Sequence, residues 1–116
     1  MAKLYFRYAA MNAGKSTQLL QISHNYESLG KKVLLMTAKI DGRFGEGRIT
    51  SRLGASRCAD CFDGETDLFS RIEIFSKAAG SEIGAVLIDE AQFLSSDQVR
   101  QIHRAVHCMN VPVLCF

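Results

Sequence analysis

The chain has no apolar run approaching the roughly 20 residues of a membrane span, and its start lacks the pattern of a signal peptide. It has no excess of one charge: 14 Lys and Arg face 12 Asp and Glu, for a formal net charge of +2. The basic residues are scattered, whereas a duplex-binding surface clusters them. Neither a membrane nor a nucleic acid is therefore expected as a partner. Internal repeats and low-complexity segments are absent. The four cysteines fit free thiols in a reducing cytosol, so a cytoplasmic location is expected. What is present is 116 residues at 47% hydrophobic content, enough for one globular domain of modest core.

The most informative segment is Ala9-Ala10-Met11-Asn12-Ala13-Gly14-Lys15-Ser16-Thr17. The apolar run Leu4-Tyr5-Phe6 enters it and a helix-like run leaves it. Strand, loop, Gly-Lys-Ser and helix in that order make the layout of a phosphate-binding P-loop. Backbone N–H groups at a helix start can hold a polyphosphate, with Lys15 aimed at the β/γ-phosphates. Ser16 can place its hydroxyl on Mg2+. The strict pattern has glycine five residues before Gly14, where Ala9 stands. Taken alone, Gly-Lys-Ser also describes an ordinary loop entering a helix.

A second motif, Ala85-Val86-Leu87-Ile88-Asp89-Glu90, puts two acids at the end of a short apolar strand. Open α/β sheets bind ligands at the carboxyl ends of their strands. Asp89 is expected near the phosphates, helping to hold Mg2+, with Glu90 beside it as a proton acceptor. Without the upstream motif, two acids ending a strand describe a solvated turn.

Periodicity predicts strands over 3–8, 32–38, 85–89 and 111–116, and helices over 15–29, 67–79 and 96–109. Leu19, Leu20, Ile22, Tyr26 and Leu29 form the apolar stripe of the first helix. Residues 39–65 read as irregular, with a short edge strand over 48–52. Strands alternating with helices imply an α/β fold with a mostly parallel sheet flanked by helices, spanning 1–116 as one nucleotide-binding domain. The chain stops on Val113-Leu114-Cys115-Phe116. That ending suggests either a fragment of a longer protein or an edge strand that a partner covers.

Together these segments resemble the bacterial and vertebrate-type thymidine kinases, a cytosolic P-loop family with a RecA-like sheet. The likeness runs through Ala10 to Thr17, Thr37-Ala38-Lys39-Ile40-Asp41-Gly42-Arg43-Phe44, Leu87-Ile88-Asp89-Glu90-Ala91-Gln92-Phe93-Leu94, and Val111 to Phe116. The resemblance implies transfer of the ATP γ-phosphoryl group to the 5′-hydroxyl of thymidine. It implies a nucleotide site at Ala9 to Thr17, with Leu87, Ile88 and Asp89 from the second strand. Lys15 would meet the phosphates, Ser16 and Asp89 the Mg2+, and Glu90 would be the base. Asp41 and Arg43 would lie near phosphates and metal; Met11, Gln92 and Phe93 would line the nucleoside pocket.

The resemblance further implies a homotetramer, and a C-terminal part absent from this sequence that carries a structural zinc site and a loop closing over the thymine. The 116-residue chain is expected to have little kinase activity alone, and Phe116 to be left uncovered. In the RecA-like order its last strand would lie between the P-loop strand and the Asp89 strand. Two other readings stay open: a RecA-like ATPase in which Glu90 activates water, and a truncated inactive copy. Cys58-Ala59-Asp60-Cys61 is half a zinc site at best, and His103 and His107 have a spacing that can clasp a metal. Cys108 and Cys115 read as buried thiols.

Overall fold

The computed structural model describes residues 4–6, 15–39, 48–50, 56–80 and 83–116. The P-loop positions before Lys15, together with Asp41 and Arg43, lie outside the described residues. Among the described residues, seven strands and three α-helices run in the order β1 (Leu4–Phe6), α1 (Lys15–Ser28), β2 (Lys32–Ala38), β3 (Arg48–Thr50), β4 (Ser56–Cys58), β5 (Asp60–Phe62), α2 (Leu68–Ala79), β6 (Ile83–Asp89), α3 (Ser96–Met109) and β7 (Val113–Cys115). A 3-10 turn at Ala91–Phe93 joins β6 to α3.

The main sheet has the order β1-β7-β6-β2-β5, and all its described pairings are parallel. This is the expected α/β architecture, with β7 between β1 and β6. The last strand is thus an interior strand, not an edge. Phe116 corrects a second expectation: it is buried, packed among Leu19, Leu20, Leu87 and Leu114.

Strand alternation gives the sheet two apolar faces. Met36, Phe62, Val86, Ile88, Val113 and Cys115 pack under α2 and α3, against Leu68, Ile72, Ile102 and Val106. Leu35, Ala85, Leu87 and Leu114 pack under α1, against Leu19 and Leu20. Each such large side chain, fully buried, contributes about 1.5–3 kcal/mol. Leu29, expected in the α1 stripe, is instead exposed just past the helix end.

Local signals end the helices as the sequence suggests. Gly30, Gly80 and Asn110 follow α1, α2 and α3 with positive φ; Asn110 is left-handed helical, whereas Gly80, at φ 61° and ψ −129°, takes a conformation open to glycine. Asp67 caps α2, and Ser95 with Gln98 forms a capping box at α3. Gly84 is required by close approach: a Cβ there would stand 3.0 Å from Tyr26, Lys31 Cβ and the Lys32 carbonyl.

The region 39–65 departs from the expectation of one short strand. β3 and β4 pair as an antiparallel hairpin, and β5 joins the main sheet beside β2. Three-residue strands are too short to show alternation in sequence. Ile49 anchors the hairpin against Leu19 and Leu20. Arg57 clamps it to α1 through two bonds to Glu27, at 2.6 and 2.7 Å. No described helix is long and apolar enough to cross a membrane.

Candidate active site

Parallel pairing sends every strand of the main sheet out along one edge. Phe6 is level with Cys115, Cys115 with Ile88, and Ile88 with Met36. The loop after β1 and the acids after β6 therefore leave the same edge. Helix α1 returns there too. Its end, Tyr26, abuts Gly84 at the start of β6, so its first residue, Lys15, points to the carboxyl ends of the strands. Leu19 packs with Leu35 and Leu87, and Lys15 begins one turn earlier, about 6 Å along the axis. The first N–H groups of a helix have no intrahelical partner and favour an anion.

Asp89 continues the Ala85, Leu87 alternation and so faces the α1 side. It is 6% exposed, and its Oδ1 is shut off from solvent. Leu87 and Ile88, which the resemblance placed with the cofactor residues, are fully buried on opposite faces of the sheet. They hold β6 in place and touch no solvent. A hard carboxylate oxygen this deep, on the α1 side of the strand ends, is a donor suited to Mg2+. The donor present therefore fits that ion.

Glu90 has φ 58° and ψ 42°, a left-handed conformation costing a non-glycine residue about 1–2 kcal/mol. Such strain persists where surrounding contacts fix it, and often marks functional turns. Here the Phe116 N–H donates to the Ile88 carbonyl at 2.8 Å, and the Ala91 N–H to the Phe116 carbonyl at 2.9 Å. Gln92 Nε2 donates to Glu90 Oε2 at 2.6 Å, holding the partly buried Glu90 carboxylate beside the turn. Phe93 is 53% exposed, so it is not core packing.

The opposite corner of this edge is tied down through Gln98. Its buried amide donates to the carbonyls of Asp63 and Thr66, while Gln101 accepts from the Leu68 N–H. The Glu65 N–H, and then the Thr66 hydroxyl, hold the Asp63 carboxyl below the usual range. Sequence reasoning missed Gln98 and also Thr37, the one hydroxyl in β2, which is registered against Asp89. Alternation along β2 carried the signal for Thr37; nothing local carried it for Gln98.

Of the other candidates, Cys61 stands near this edge, registered against Thr37. Cys58 ends β4 and Cys61 belongs to β5, so the CxxC pair is split between two sheets. His103 and His107 meet edge to face at 4.9 Å on α3. Among the described residues no three His, Cys, Asp or Glu side chains gather as a metal site. Cys108 is exposed, contrary to its reading as a buried thiol, whereas burial pushes the Cys115 thiol up to about 12. An open groove of about 240 Å3 beside β2, lined by Val33, Leu35, Arg57, Cys58 and Asp60 among others, contains neither Asp89 nor Glu90.

Comparison with known proteins adds the family. A profile described as thymidine kinase matches residues 2–116. A thymidine kinase of Chromobacterium violaceum is 52% identical over the whole chain, which covers 59% of that relative. One of Mannheimia succiniciproducens is 51% identical, with 58% of its length covered, and one of Ruegeria pomeroyi 52% identical, also with 58% covered. The chain thus spans less than two thirds of these relatives. A family match across nearly every residue, on a sheet that brings both motifs to one edge, makes this chain a member of the thymidine kinase family.

Proposed function

We propose that this chain carries the Mg-ATP and phosphoryl-transfer groups of a kinase that phosphorylates the 5′-hydroxyl of thymidine. One observation carries the reading: Asp89 and Glu90 leave the sheet at the edge where α1 begins with Lys15 and Ser16, and Asp89 faces the α1 side. Family membership supplies the substrate, since the relatives are named thymidine kinases.

The roles follow from charge and position. Phosphoryl transfer asks chiefly for alignment and neutralisation of charge. N–H groups at the start of α1 and within Ala9 to Thr17 bind phosphate oxygens, and the Lys15 ammonium lies against the β/γ-phosphates. Ser16 and Asp89 provide oxygen ligands for Mg2+, which supplies further positive charge to the phosphates when bound. Glu90 takes the proton of the 5′-hydroxyl as that oxygen bonds to the γ-phosphorus and the bond to the β–γ bridging oxygen breaks. Gln92 orients Glu90. Phe93 offers a flat apolar face to the thymine, with Met11 in the same pocket. Asp41 and Arg43 join the phosphate and metal groups. The same reading gives one nucleotide-binding domain over 1–116, a cytoplasmic location and a homo-oligomeric state.

Calorimetric titration with Mg-ATP tests the site. The native chain is expected to bind, and Lys15→Ala to abolish binding; unchanged affinity in the variant overturns the assignment. Thymidine-independent release of phosphate from ATP, lost in Glu90→Gln, would instead favour an ATPase in which Glu90 activates water.

A further inference from the structure

Strand β2 is apolar from Val33 to Ala38 except at Thr37. Thr37 follows the Val33, Leu35 alternation, so its side chain lies on the α1 face, where Lys15 and Ser16 begin the helix. It is registered against Asp89 on the neighbouring parallel strand. Paired residues of adjacent strands face the same way at a strand spacing of about 4.8 Å. Thr37 is 6% exposed as a residue, its hydroxyl is not among the polar atoms shut off from solvent without a partner, and Cys61 of β5 is registered on its other side.

A hydroxyl at the end of an otherwise apolar strand, beside a buried carboxylate, adds nothing to packing and serves chiefly where it meets a polar partner. Ser23, a buried hydroxyl on α1, reaches Glu27 at 3.4 Å. Valine would fill the Thr37 position with the same shape and the same β-branched preference for a strand. A hydroxyl both donates and accepts, and Mg2+ held by few protein ligands keeps several waters that need acceptors.

We propose that Thr37 is a further residue of the nucleotide site, its hydroxyl hydrogen-bonded to the hydration shell of the Mg2+ held at Asp89. The inference rests on the Mg-ATP reading above and extends it to β2, which neither motif includes. ATP binding by the full chain is titrated calorimetrically in excess Mg2+ and again in EDTA, with thermal unfolding followed in parallel. Thr37→Val is expected to weaken binding about tenfold in Mg2+. It should leave binding in EDTA unchanged and the melting temperature no lower. Thr37→Ser should keep native affinity, and Thr37→Ala, as a second deletion of the hydroxyl, should repeat the Mg-specific loss. Native Mg-ATP affinity in both Thr37→Val and Thr37→Ala overturns the inference alone, as does an equal loss with and without Mg2+. If the native chain shows no Mg-dependent binding of ATP, the Mg-ATP reading falls and the role of Thr37 falls with it.

Discussion

The two faces of the sheet are built from the same strands and do different work. The face under α2 and α3 is closed by two helices, and its buried strand positions are apolar, Met36, Ala38, Phe62, Val86, Ile88, Val113 and Cys115, with the exposed Asp60 of β5 turned toward Arg71 of α2. On the face under α1, β2 and β6 are apolar only as far as Leu35 and Leu87, while β7 stays apolar from Leu114 to Phe116. One alternation further along, β2 and β6 change to Thr37 and Asp89, both still buried. Stability is concentrated on the closed face, while the α1 face gives up packing at its edge to hold polar groups. A single-residue slip of β6 would exchange the two roles, turning Asp89 under α2 and α3.

Three substitutions grade this contrast. Phe62→Ala on the closed face should cost the most, about 3–5 kcal/mol, because the ring is 1% exposed and its cavity has no solvent to fill it. Urea unfolding measures it; a loss below about 1 kcal/mol would mean that this face is loosely packed. Gln98→Ala should cost an intermediate amount, about 1–3 kcal/mol. It removes half the capping box of α3 and the donor to the Asp63 and Thr66 carbonyls. The same unfolding series reads it, and a neutral result would show that water replaces the amide.

The smallest effect is expected where α1 meets the hairpin. The Arg57 and Glu27 side chains are 44% and 37% exposed, so Glu27→Gln should cost only about 0.2–1 kcal/mol, and less in high salt. The hydrogen bond from Arg57, larger than the opposing effect of burial, lowers the Glu27 carboxyl from its ordinary 4.5. A depressed carboxyl stabilises the fold above its unfolded pKa and loses that contribution as pH falls through its folded value. The difference between native and variant should therefore be full at neutral pH and shrink below about 4.5. A difference that grew on acidification would contradict the assignment.

Much of this was legible in the chain. Lys32–Ala38 and Ser96–Met109 occupy the spans that periodicity predicts, and Gly30, Gly80 and Asn110 stop their helices. The acid pair was legible because a four-residue apolar run ending in Asp89-Glu90 is a local pattern. The hairpin at 48–58 and strand β5 were not. Their three-residue strands are held by Ile49 and Arg57 reaching α1, and by β5 pairing with the end of β2. The burial of Phe116 escaped for a related reason: its cover, Leu19 and Leu20, stands about a hundred residues earlier in the chain.

The sequence alone determined the three helices and strands β1, β2, β6 and β7, where the helices stop, and which residues have the chemistry of phosphate, metal and base. Those properties depend on spacing, capping and side-chain type within a few residues. Tertiary structure alone decided which of them share an edge and which face each one turns to. Strand order brought the β1 and β6 ends together across β7, and register set Thr37 against Asp89. The pairing of the Phe116 backbone with Ile88 and Ala91 fixed the turn at Glu90. Such choices come from long-range pairing and burial, where each backbone group finds its partner far along the chain.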